Sequence, residues 1–135
     1  MKNFQSESKK SGDDFEIVVE EDLINNHYKI IATNKKIPGI GINVDYIAED
    51  QSNVIEYGEA KGGRPGEKKR PGALRTDNVK KAICNGALLK FKYPDKKYVI
   101  YFSYPPKPGS SSEEMIKTAL EAKFIDEVRY LSYNN

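Results

Sequence analysis

Tryptophan is absent, and cysteine and histidine occur once each, as Cys84 and His27. One of each excludes a Cys/His zinc site, a CxxC redox pair, an intrachain disulfide and a Ser-His-Asp triad with histidine to spare. Any metal must therefore be held mostly by oxygen. No run nears the ~18 apolar residues of a membrane-spanning helix, and the opening MKNFQSESKK has no apolar leader core, so a soluble, cytoplasmic protein is expected. No GxxxxGK[ST] segment exists, which argues against a nucleotide cofactor.

At 135 residues the chain has length for one domain, expected over 12–135 behind a polar, flexible lead of 1–11. The net charge of +2 conceals strong polarisation. Residues 1–60 carry 6 basic and 12 acidic side chains, residues 61–101 carry 12 and 3, and residues 102–135 carry 4 and 5. A basic block of that density suits a polyanion.

Periodicity predicts a helix from about Asp13 to Asn25, with Phe15, Val18, Val19 and Leu23 inward. Strands follow at Tyr28–Ala32, Ile40–Ala48 and Val54–Lys61, with Asn34-Lys35-Lys36 and Pro38-Gly39 as a loop and the turn-rich 49–53 closing a hairpin. Residues 62–72, GGRPGEKKRPG, hold four Gly, two Pro and four Lys/Arg and read as an exposed basic loop. A helix capped by Thr76 or Asp77 places Val79, Ile83, Gly86 and Ala87 on one side, with Cys84 a small packed residue. A strand at Tyr98–Tyr104, a helix launched by the capping-box spacing Ser111-Ser112-Glu113-Glu114, and a strand at about Glu127–Ser132 complete the chain. The order α-β-β-β-α-β-α-β describes an α/β fold, a mixed central sheet flanked by helices.

Side chains at i and i+2 of a strand share a face, so Glu59 and Lys61 stand together while Ala60 points into the core. A hairpin closing about 50–53 opposes residues whose numbers sum to roughly 103, which brings Asp45 near Glu59. Two adjacent carboxylates repel unless a cation lies between them. Mg²⁺ or Mn²⁺ suits such oxygens, with Asp45, Glu59 and Ala60 as the expected metal positions and Lys61 positioning the attacking water. The chemistry implied is phosphodiester hydrolysis. Arg64, Lys68, Lys69 and Arg70 follow Lys61 directly, and Arg75, Lys80 and Lys81 open the next helix, so these are the expected phosphate contacts.

The segments Gly12-x-x-Phe15-Glu16, Tyr28-Lys29-Ile30-Ile31-Ala32-Thr33-Asn34, Val44-Asp45-Tyr46-Ile47-Ala48-Glu49-Asp50 and Glu59-Ala60-Lys61 resemble the PD-(D/E)xK nucleases. This is the restriction-endonuclease-like superfamily, and the pattern is similar to its small Holliday junction resolvase-like members over about residues 12–92. The resemblance implies a restriction-endonuclease-like core, Asp45 and Glu59 as metal ligands, Lys61 as the water-orienting lysine and Glu16 as a helix carboxylate facing the same site. Val44 stands where the superfamily's namesake proline would, and the 62–75 loop is longer and more basic than in resolvase-like members. DNA is the expected partner, cut structure-selectively or with weak sequence preference, and a homodimer would let two sites cut two strands. The alternatives are a compact restriction enzyme, a non-catalytic nucleic-acid-binding module, or a domain that cuts RNA.

Overall fold

The computed structural model describes residues 10–63 and 70–132, with side chains from residue 14 onward in the first helix. The elements are α1 (Lys10–Asn25), β1 (Lys29–Ile37), β2 (Ile42–Glu49), β3 (Ile55–Lys61), a 3₁₀ turn (Gly72–Leu74), α2 (Thr76–Lys92), β4 (Lys97–Phe102), α3 (Ser111–Glu121) and β5 (Glu127–Tyr130). The five strands lie in sequence order in one sheet. β1, β2 and β3 form an antiparallel meander, and β4 and β5 add parallel to β3 through crossovers that contain α2 and α3. The architecture is the expected mixed sheet flanked by helices. Among the described residues no helix is long and apolar enough to cross a membrane.

Strand alternation supplies two apolar faces. On one, Phe15, Val19 and Leu23 of α1 pack on Tyr46, Ala48, Val99 and Tyr101. On the other, Val79, Ala82 and Leu89 of α2 and Ile116 and Ala119 of α3 pack with Tyr98, Ile100 and Phe102. Two glycines permit close approach: a Cβ on Gly58 would fall 2.0 Å from the Tyr46 ring, and one on Gly86 would meet the Phe124 carbonyl at 2.6 Å. The Tyr46 ring therefore lies over the backbone of β3.

Several boundaries differ from expectation. Helix α1 starts at Lys10, inside the segment expected to be a lead. β1 continues through Asn34-Lys35-Lys36, which composition assigns to a loop. Pairing of Lys35 with Val44 and Lys36 with Asn43 makes a strand of polar residues that no apolar alternation announces. The capping box sits one residue earlier than read: the Ser110 hydroxyl accepts the Glu113 N–H, and the Glu113 carboxylate accepts from the Gly109 N–H. Cys84 is exposed rather than packed, because the buried stripe of α2 is Val79, Ala82, Gly86 and Leu89 and position 84 falls on the opposite side.

Candidate active site

The hairpin register is Tyr46 opposite Gly58 and Glu49 opposite Ile55, and the β2–β3 ladder ends at Tyr46. Asp45 is thus the first residue beyond the paired segment. Its carboxylate substitutes for the missing ladder, the Ala60 N–H donating to Asp45 Oδ2 at 2.7 Å. Asp45 is thereby fixed against the β3 backbone between Glu59 and Lys61. The convergence expected from the spacing is present.

Glu59 is only 3% exposed. Its Oε2 lies 3.6 Å from Lys61 Nζ, and its Oε1 accepts a close hydrogen bond from Asn85 Nδ2 on α2. Burial pushes the Glu59 carboxyl above its ordinary range; Lys61 and Asn85 oppose this, and the charge of Asp45 adds to it. Burial likewise raises Asp45, against the Ala60 hydrogen bond and Lys61. The Tyr98 hydroxyl is buried beside Glu59, whose charge and proximity hold its proton. A positive charge between Asp45 and Glu59 would favour the ionised form of both carboxyls.

On the α1 side, Glu16, Val19, Glu20, Asp45, Tyr46 and Ala60 line a recess of about 10 Å³, room for roughly one water-sized sphere. Glu16 therefore shares a recess with Asp45 and Ala60. Among the described residues no group of three or more His, Cys, Asp or Glu side chains is placed to hold a metal. The donor set that fits Mg²⁺ or Mn²⁺ is two carboxylates supplemented by backbone and water oxygens, which suits a hard ion that keeps several waters.

The expected phosphate contacts divide. Arg64, Lys68 and Lys69 lie outside the described residues. Arg70 is exposed beside the 3₁₀ turn. That turn is tied to the ends of β3 and β4: Gly72 N–H donates to the Gly62 carbonyl, Ala73 N–H to the Tyr104 carbonyl, and the Ser103 hydroxyl to the Gly63 carbonyl. Arg75 occupies the N-cap position of α2, its guanidinium 3.5 Å from Asp77. Lys81 is exposed, while Lys80 lines an apolar groove between α2 and α3 with Ile83, Met115 and Phe124.

Asn85 was missed, although a signal existed: it lies between Ala82 and Leu89 on the inward side of α2, and a polar residue in an apolar stripe needs a partner. Glu56 and Arg129 were also missed. Glu56, 1% exposed, receives two hydrogen bonds from the Arg129 guanidinium, at 2.9 and 3.0 Å, and one from the Tyr46 hydroxyl at 2.6 Å.

No family model and no curated protein matches the chain. Solved structures do share its fold. EndoMS in complex with double-stranded DNA aligns with a TM-score of 0.54 at 17% identity, over 88% of this chain and 45% of that one. A repair endonuclease from Pyrococcus abyssi aligns with a TM-score of 0.52 at 16% identity, over 98% and 48%. The chain spans about half the length of these neighbours.

Proposed function

We propose that the chain is a metal-dependent endodeoxyribonuclease of the PD-(D/E)xK type. The observation that carries the reading is the parting of β2 from β3 at Asp45, which fixes that carboxylate to the backbone between buried Glu59 and Lys61. The endonuclease names of the fold neighbours, one of them bound to double-stranded DNA, support it.

Asp45, Glu59 and a backbone oxygen of Ala60 would hold Mg²⁺ or Mn²⁺, which supplies Lewis acidity and lowers the pKa of a bound water. Glu59 is kept in one rotamer by Asn85 on one oxygen and Lys61 near the other. The Lys61 ammonium orients the attacking water and offsets charge developing on the phosphate oxygens. Glu16 contributes a further carboxylate to the recess behind Asp45. One site per chain meets one strand, so cutting a duplex takes two chains or two encounters.

The test is a panel of labelled single strand, duplex, four-way junction and RNA, incubated with Mg²⁺ or Mn²⁺. Cleavage of DNA that stops with EDTA and is lost in Glu59→Ala and Lys61→Ala is expected. Hydrolysis that survives either substitution, or no hydrolysis of any DNA, overturns the assignment.

A further inference from the structure

The β1–β2 ladder continues past Asp45 to Ile37 opposite Ile42, whereas the β2–β3 ladder stops at Tyr46. Residues 34–44 therefore form a two-stranded ribbon that leaves β3 at the candidate site. Ile37, Ile42 and Val44 are buried in the core and anchor it. Its other positions, Asn34, Lys35, Lys36 and Asn43, are all exposed. The tip, 38–41, turns on two glycines with positive φ, Gly39 at 86° and Gly41 at 76°, and a Cβ on either would meet nothing within 4 Å.

The lysines of β1 fall into two classes. Lys29, at the far end, stands opposite Glu49, a side chain of opposite charge. Lys35 and Lys36 stand opposite Val44 and Asn43, which cannot neutralise them. Adjacent strand residues project to opposite faces, so the ribbon carries a cation on each face. Asn43, the partner of Lys36, lies two residues along β2 from Asp45, about 7 Å by strand rise. That matches about two nucleotides of axial rise along one DNA strand.

Resting on the nuclease reading above, we propose that this ribbon is a DNA-contacting element. Lys35 and Lys36 bind phosphates flanking the scissile one, and the amides of Asn34 and Asn43 supply further hydrogen bonds.

The experiment follows binding of a labelled short duplex to the full chain by fluorescence anisotropy, with Ca²⁺ replacing Mg²⁺, between about 50 and 200 mM salt. Three proteins are compared: wild type, the double variant Lys35→Ala/Lys36→Ala, and Lys29→Ala. Each phosphate contact contributes about 0.9 to the slope of log K against log salt, so the double variant should bind more weakly with a slope shallower by about 1 to 2. Lys29→Ala should follow wild type. A double variant that matches wild type, or a Lys29→Ala loss equal to it, overturns the ribbon assignment and leaves the nuclease reading standing. Failure of the wild type to bind the duplex at all overturns the ribbon assignment, and the nuclease reading is then decided by the cleavage panel alone.

Discussion

Two glutamates three residues apart on β3 are both buried, and they are treated in opposite ways. Glu56 is fully satisfied: Arg129 grips both its oxygens, the Tyr46 hydroxyl donates to one, and Lys97 stands 3.8 Å away. Arg129 is itself saturated by Glu127 and the Tyr28 and Tyr101 hydroxyls. Burial, then the neighbouring Glu56 charge, push the Tyr46 hydroxyl far above the ordinary phenol range, so it remains a donor. Glu59 has a lysine at 3.6 Å, one amide, the Tyr98 hydroxyl and a second carboxylate nearby, and its proton affinity is raised. A buried acid with matching cations is structural; one held beside another acid, short of positive charge, is poised to receive it.

The sharpest way to break this contrast is to remove the charge at each end. Glu59→Ala or Lys61→Ala should reduce DNA cleavage by about 10²-fold or more, the scale of losing one preorganised electrostatic group, while far-ultraviolet circular dichroism stays native. At the other end, Arg129→Met should cost about 3–5 kcal/mol in urea unfolding, because it strands a carboxylate that is 1% exposed. Adding Glu56→Met in the same chain should recover part of that loss. If Arg129→Met proves silent, or Glu59→Ala unfolds the protein, the two glutamates do not differ in the way described.

A smaller effect is expected midway between them. Gly58 lies beneath the Tyr46 ring, and that ring cannot retreat without giving up its hydrogen bond to Glu56. Gly58→Ala should therefore destabilise by about 1–3 kcal/mol through overpacking, measured by the shift of the urea midpoint. An unchanged midpoint would mean that the ring and β3 separate easily, and that the two ends are not mechanically joined.

What was legible in the sequence divides along the same line. The convergence of Asp45 with Glu59 and Lys61 follows from local rules, a turn at 50–53 and a strand period of two, and the register missed by a single residue. The Glu56 network could not be read, because Arg129 meets its partner across 73 positions and no local pattern encodes a pairing at that distance. Its only trace is that Glu56 shares strand parity with Gly58 and Ala60, the core-facing set. The polar half of β1 was lost for a related reason: Asn34-Lys35-Lys36 is a strand by virtue of what β2 offers it, not of its own composition. Helix α2 shows the limit of three-and-four spacing, which found Val79 and Gly86 yet turned Cys84 the wrong way.

The subtlest consequence of the way Glu59 is held concerns pH. Burial raises Glu59, so without metal the folded protein holds that proton more tightly than the unfolded chain does. Below the unfolded value both states are protonated and the group costs nothing. As pH rises from there through the raised folded value, the unfolded chain ionises first and gains the advantage, so stability falls. Glu59→Gln keeps the shape and an acceptor for Asn85 but cannot ionise. In metal-free buffer it should match wild type at low pH and exceed it at neutral pH, by urea unfolding at each pH. Added Mn²⁺ should then raise the wild-type midpoint and leave the variant's unmoved, since a ligand stabilises only the fold that binds it. Parallel pH profiles for the two proteins would mean that Lys61 and Asn85 already neutralise Glu59, leaving it no less settled than Glu56.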